Sequence, residues 1–145
     1  MKRFNFKLEK ILKLRENRER ETEIELGKAI GVLASLENRI KTVAEEKVTA
    51  MRNRFSGGIR EIQTYEFYIL RLDQTRDALL TAAAEAELEV EKAREIYLAA
   101  SRDRKIFSKL KERQESEYKH AVNLEEIKII DDLTGGRTAR SAVAG

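Results

Sequence analysis

The sequence predicts an all-α chain, an antiparallel two-helix coiled-coil hairpin with a longer second helix. Three observations carry this reading. Apolar residues recur at alternating steps of four and three over two long stretches, the knobs-into-holes pattern of a coiled coil. One break, Phe55-Ser56-Gly57-Gly58, separates the two stretches. No proline interrupts either, and the next Gly-Gly is Gly135-Gly136.

At 145 residues the chain is one domain at most. Charged residues make up 38% and aromatic residues 6%, with no tryptophan, a balance that favours a coil over a compact globule. Disordered chains share that balance but lack periodic apolar stripes. The absence of cysteine removes disulfides, thiolate catalysis and cysteine metal sites, and fits a reducing compartment. Met1-Lys2-Arg3-Phe4 has the charge of a signal peptide, but Lys and Glu interrupt the residues after it and leave no apolar h-region. No apolar run approaches the ~20 residues of a membrane span. The expected location is therefore cytoplasmic. The 29 basic and 26 acidic residues read as interleaved, with a net charge of +3. Nucleic-acid binding calls for a one-sided basic stripe, and none is read here.

The first helix is expected from about residue 6 to 55, with Asn5 as its cap. Its seam reads Leu8, Leu12, Arg15, Glu19, Thr22, Leu26, Ala29, Leu33, Leu36, Ile40, Val43, Lys47, Ala50 and Arg54. From Leu26 to Val43 every seam position is apolar. Residues 15–23 carry no apolar side chain and predict a weakly packed stretch. Phe4, Phe6, Leu8, Ile11, Leu12 and Leu14 are too many for one seam and point either to a second partner or to a frayed end. Ala44, Val48, Met51 and Phe55 lie one position past the seam, through drift of the helix against a seven-residue repeat. Gly27 and Gly31 share the face opposite the seam, as tolerated glycines or as a place for another chain to approach.

The bend is expected at 56–60 and the second helix at about 61–133, with Thr64 a possible cap. The second seam runs Ile62, Tyr65, Ile69, Leu72, Arg76, Leu79, Ala83, Ala86, Val90, Ala93, Tyr97, Ala100, Arg104 and Phe107. Folding at Gly57-Gly58 sets Ile40 near Arg76, Leu33 near Ala83, Leu26 near Val90 and Leu8 near Phe107. Large residues then meet small ones. Phe67 and Tyr68, with Val48, Met51 and Phe55, are expected to form an apolar surface near the bend. Residues beyond about Arg113 lack a first-helix partner; at ~1.5 Å per residue the second helix runs roughly 110 Å against about 75 Å. Tyr118, Leu124, Ile127, Ile129, Ile130 and Leu133 on that extension call for another chain or for self-association. Gly135-Gly136 is expected to stop the helix, leaving 134–145 as a flexible tail.

No catalytic constellation is present. His120, the one histidine, reads as a surface residue. Glu125, Glu126, Asp131 and Asp132 lack the histidine or loop that would complete a metal cage. Thr134-Gly135-Gly136-Arg137 lacks the lysine of a phosphate loop. A two-helix coil offers no water-excluding pocket. Neither an enzyme nor a cofactor is expected.

Phe4-Asn5-Phe6-Lys7-Leu8-Glu9-Lys10-Ile11-Leu12-Lys13-Leu14-Arg15-Glu16 resembles the amino-terminal signature of the flagellar export protein FliJ family. Phe107-Ser108-Lys109-Leu110-Lys111-Glu112-Arg113, followed by Tyr118, resembles its downstream segment. The resemblance spans about residues 1–133, and the tail adds nothing to it. It implies a non-enzymatic, stalk-like component of the flagellar type III export apparatus, at the cytoplasmic face of the inner membrane. The implied partners are the hexameric export ATPase, the cytoplasmic domain of the export gate, and export chaperones, with no nucleic acid and no integral membrane segment. Phe4, Phe6, Leu8, Ile11, Leu14, Phe107, Leu110, Tyr118, Leu124 and Ile127 are the candidate ATPase contacts. Met51, Phe55, Phe67 and Tyr68 are the candidate gate contacts. The rival readings are a stalk protein of a virulence-type secretion system or rotary ATPase, and a structural coiled-coil dimer.

Overall fold

The computed structural model describes residues 2–144, with side chains placed for residues 2–140. Its two helices are α1, Glu9–Asn53, and α2, Ile59–Ala144. The chain divides into two compact units. Arg18–Ala100 forms a hairpin unit, and Met1–Asn17 with Ser101–Gly145 forms a terminal unit.

The hairpin unit is built on the expected seam. Every seam position from Glu19 to Arg54 and from Ile62 to Ala100 is buried or half-buried. Ala50, Ile69, Leu72, Leu79, Ala83, Ala86, Val90 and Ala100 are buried. Ion pairs Lys47–Asp73 at 2.7 Å and Arg54–Glu66 at 3.3 Å show the two helices running antiparallel, since one number rises as the other falls. Thr22 is buried although polar, and its hydroxyl donates to the carbonyls of Arg18 at 3.0 Å and Glu19 at 2.8 Å. That local bonding meets the cost of placing a hydroxyl in the seam.

At the bend α1 ends at Asn53, whose carbonyl accepts the Ser56 N–H at 3.1 Å and the Ser56 hydroxyl at 2.6 Å. A Cβ on Gly57 would lie 2.8 and 2.9 Å from Cγ and Cβ of Glu61, so this position must be glycine for α2 to start where it does. The Ile62 N–H bonds the Gly58 carbonyl at 3.1 Å, opening α2 two residues before the expected start. Thr64 is not a cap. It lies inside the helix and donates its hydroxyl to the Arg60 carbonyl at 2.9 Å.

In the terminal unit α1 starts at Glu9 rather than at residue 6. Lys7 and Leu8 form a turn, closed by the Glu9 N–H on the Phe6 carbonyl at 3.1 Å, so Asn5 stands outside the helix. Glu9 pairs with Lys111 at 2.9 Å, and Arg15 with Asp103 at 3.9 Å. The expected pairing of Leu8 with Phe107 is therefore off by about one turn. Phe107 lies under Arg15, with the guanidinium 5.8 Å from the ring centroid. Counting from Gly57-Gly58 assumes that the reversal centres on the glycines. The pairs Arg54–Glu66, Lys47–Asp73 and Glu9–Lys111 instead centre the reversal near residue 60, beyond the glycines, so the expected pairings of Ile40 with Arg76, Leu33 with Ala83 and Leu26 with Val90 are displaced by about the same turn. Arg15, expected in the seam, is exposed, and Glu16 is half-buried instead.

Gly135-Gly136 does not end α2, which continues to Ala144. Neither glycine has positive φ, and no proline follows. Glycine costs ~1 kcal/mol against alanine in a helix, a tax rather than a block.

Candidate interaction surfaces

The candidate contacts of the terminal unit fall into two groups. Phe6 is buried, at 5% exposure, and Phe4, Leu8, Phe107, Leu110 and Tyr118 are half-buried. The Phe4 and Tyr118 rings lie 5.5 Å apart, tilted by 42°, and the Tyr118 hydroxyl donates to the Lys2 carbonyl. The amino-terminal aromatics thus fold back onto α2. The surplus of apolar residues before Leu12 is mostly used within the chain, and cover for α2 extends past Arg113 to Tyr118. Ile11, Leu14, Leu124 and Ile127 remain exposed, Leu14 at 66% and the last two at 54%.

Val122 is half-buried, and from residue 123 to 140 every residue is exposed. At 100° per residue the apolar side chains of this extension form two stripes. Val122, Ile129 and Leu133 continue the side of α2 that carries Tyr118. Leu124, Ile127 and Ile130 lie on the outer side. A helix with one apolar stripe needs one partner helix, so this segment carries more apolar surface than a hairpin uses.

The bend residues do not form a single surface. Phe67 is 73% exposed and Phe55 67% exposed. Tyr68 lies beside α1, its hydroxyl 3.5 Å from Glu46. Met51 is five residues after Glu46, roughly 140° around α1, and so on the other flank. Phe55 lies under its neighbour Arg54, with the guanidinium 4.7 Å from the ring. Tyr68 lines one shallow groove with Thr42, Glu45, Thr49 and Tyr65, and another with Phe67, Leu70 and Arg71.

The spacing of the seam does not by itself reveal one further feature. An open groove of about 840 Å³ runs beside the seam of the hairpin unit, lined by Thr22, Ile24, Ala29, Val32, Ala93 and Ile96, with charged residues at its edges. Small seam residues facing one another, Ala29 and Ala93 among them, leave this space. Its trace in the sequence is the run of small or polar seam residues Thr22, Ala29 and Ala93.

Charge is also less evenly mixed than its near balance implies. In the terminal unit Lys2, Arg3, Lys7, Lys10, Lys13 and Arg15 stand against Glu9 and Glu16. Arg102, Arg104, Lys105, Lys109, Lys111 and Arg113 stand against Asp103 and Glu112. Further along α2 the balance inverts, with Glu115, Glu117, Glu125, Glu126, Asp131 and Asp132 against Lys119 and Lys128.

Two titrating groups respond to their partners. The Lys47 ammonium beside Asp73 holds its carboxyl below the ordinary aspartate value, with Arg76 adding to the effect. The Glu9 carboxylate raises Lys111 above the ordinary lysine value. Among the described residues no cluster of three metal-ligating side chains forms, and no helix is long and apolar enough to cross a membrane.

Fold and surfaces together define a two-helix coiled-coil protein that leaves apolar faces outside its own seam. The chain belongs to the flagellar FliJ family: the family model described as flagellar FliJ protein matches residues 4–142. That match includes Gly135-Gly136 and much of the segment expected to be an unrelated tail. It makes the chain a flagellar export-related protein. No curated protein and no solved structure matches it.

Proposed function

We propose that this protein is the stalk-like component of the flagellar type III export apparatus that promotes assembly and activity of the hexameric export ATPase. It also links the ATPase to the cytoplasmic domain of the export gate and to export chaperones, acting peripherally at the cytoplasmic face of the inner membrane. The carrying observation is the family match across residues 4–142, which takes in both helices. The exposed apolar residues of the extension support it, because such surface calls for a protein partner.

The division of the candidate residues sharpens the assignment. Ile11, Leu14, Leu124 and Ile127 are exposed and form the ATPase contact. Phe4, Phe6, Leu8, Phe107, Leu110 and Tyr118 hold the amino-terminal segment in place beside them. Phe67 and Tyr68, with Met51 and Phe55 on separate faces, serve the gate. The test is ATP turnover and ring assembly by the cognate export ATPase with and without the protein. Stimulation of both is expected, and no binding with no change in either sinks the reading. Polar replacement of Ile11 and Leu14 weakens ATPase binding more than replacement of Phe67. The reverse ranking exchanges the two surfaces.

A further inference from the structure

Among the described residues, 2–8 are the stretch of the terminal unit that lies outside a helix, and they carry on along α2 where α1 leaves off. The root of this strap is firmly held. Phe6 is 5% exposed, and Glu9 just after it pairs with Lys111 at 2.9 Å. The tip rests on Tyr118, through the Phe4 ring and through the Tyr118 hydroxyl on the Lys2 carbonyl. Phe4 is half-buried, Lys2, Arg3 and Lys7 are exposed, and none of these three cations forms an ion pair that would add to the hold.

Tyr118 also marks the place where the cover of α2 runs out. At 100° per residue, Lys111, Tyr118, Val122, Ile129 and Leu133 fall within roughly 60° of one another. That side of α2 meets α1 at Lys111 and the strap at Tyr118, and from residue 123 to 140 it is exposed. A partner helix that covers Ile129 and follows the same side toward α1 reaches Tyr118 after about three turns. There it meets Phe4. Strap and partner compete for one ring.

We propose that the strap is a displaceable cover. It is closed on Tyr118 in the free chain, and it opens at Phe4 when the export ATPase docks along the extension, so that Tyr118 joins the contact. The strap pivots about Phe6, because Phe6 and the Glu9–Lys111 pair hold its root while only the Tyr118 contacts at its tip are given up. Opening is a shift between two states of the chain, and the ATPase drives it by binding the open one better. The inference rests on the ATPase reading and adds a regulatory step to it.

Phe4→Ser removes the ring that the strap lays on Tyr118. It is expected to tighten binding of the cognate export ATPase by about three- to tenfold, because apparent affinity is reduced by the fraction of molecules that are closed. Tyr118→Phe keeps the ring, loses the bond to Lys2, and tightens binding by less. A strap that only supports the contact gives the opposite sign in both variants. Phe4→Trp supplies the one tryptophan of the chain, and fluorotryptophan at that position reports the strap directly. Its fluorine signal is expected to move, on addition of unlabelled ATPase, toward the position it takes in the free double variant with Tyr118→Ala. Circular dichroism of Phe4→Ser and Tyr118→Phe stays at wild-type helicity, since Phe4 precedes α1 and the second change leaves the backbone as it is. Binding that is unchanged or weaker in Phe4→Ser, or a fluorine signal that keeps its free position in the complex, overturns the proposal and leaves the ATPase reading standing. No binding by wild type or by either variant overturns both.

Discussion

Lys47 and Asp73 approach to 2.7 Å across the two helices of the hairpin unit, and Arg76 reaches the same carboxylate at 3.7 Å. Lys47 and Arg76 both occupy seam positions, where an aliphatic side chain would pack better. A polar residue at a single seam position sets register at some cost in stability. Sliding one helix by a turn would leave two cations in the seam without their carboxylate. The expected result of Asp73→Asn is thus a lower melting temperature at neutral pH. Replacing Glu89, whose pair with Lys92 is a within-helix contact on an open surface, changes little.

The same pair has a pH signature. Asp73 titrates below an unfolded aspartate, so its contribution is present above the unfolded value and is lost as pH falls through the folded one. Wild type and Asp73→Asn therefore converge in acid, where both side chains are neutral. Thermal melts at neutral and acid pH check this, and a difference that persists in acid contradicts it.

Lys111 has the opposite sign. Its value is raised by Glu9, so its contribution is present below the ordinary lysine value and is lost as pH climbs through the raised one. Lys111→Gln is expected to speed hydrogen exchange in the first turn of α1, around Glu9 to Leu12, at neutral pH. Exchange in the hairpin unit should be unchanged, and a uniform acceleration would mean that the pair does not act locally.

Much of the fold is legible from spacing alone. Counting assigns Leu72 and Leu79 to the seam, and both are buried, at 6% exposure. Counting succeeds there because a coil repeats one contact, and an error would bring charged residues into the seam. It fails where the chain leaves the repeat. The register is displaced by about one turn, at Lys47–Asp73 in the hairpin unit as at Glu9–Lys111 in the terminal one, because it depends on where the chain reverses, which spacing does not encode. Phe4 and Phe6 count as outward surface when every residue is treated as helical, whereas they precede α1. Met51 and Tyr68 are near one another along a hairpin, but the two flanks of the seam separate them. Leu72→Ala is expected to cost about 2–3 kcal/mol, and Leu70→Ala, at an exposed position, close to nothing. Chemical denaturation separates the two.

The four glycines of the two Gly-Gly pairs are not equivalent. An added methyl at Gly57 meets the base of the Glu61 side chain, which cannot swing away without moving the start of α2. Gly57→Ala is expected to destabilise by about 1–3 kcal/mol, as overpacking does. At Gly135 and Gly136 an added Cβ meets nothing within 4 Å, and both residues are helical. Gly135→Ala and Gly136→Ala are each expected to favour the helix by ~1 kcal/mol, seen as a gain in ellipticity. A loss of ellipticity there would restore these glycines as a helix stop.

Tyr118 holds the amino-terminal segment by two separable contacts, the ring against Phe4 and the hydroxyl on the Lys2 carbonyl. Tyr118→Phe removes only the hydrogen bond, a loss of about 1 kcal/mol for a partly exposed neutral bond. Tyr118→Ala removes both contacts and uncovers Phe4. The segment carries Arg3 and Lys7, so limited trypsin digestion reports its release. Cleavage is expected to be slow in wild type, slightly faster in Tyr118→Phe and much faster in Tyr118→Ala. The helicity of α2 should hold in all three, because Tyr118 is half-buried and its backbone bonds lie within the helix. If Tyr118→Ala is cleaved no faster than wild type, Phe6 and the Glu9–Lys111 pair are enough to hold the segment. The Phe4–Tyr118 contact would then be free to open onto a partner.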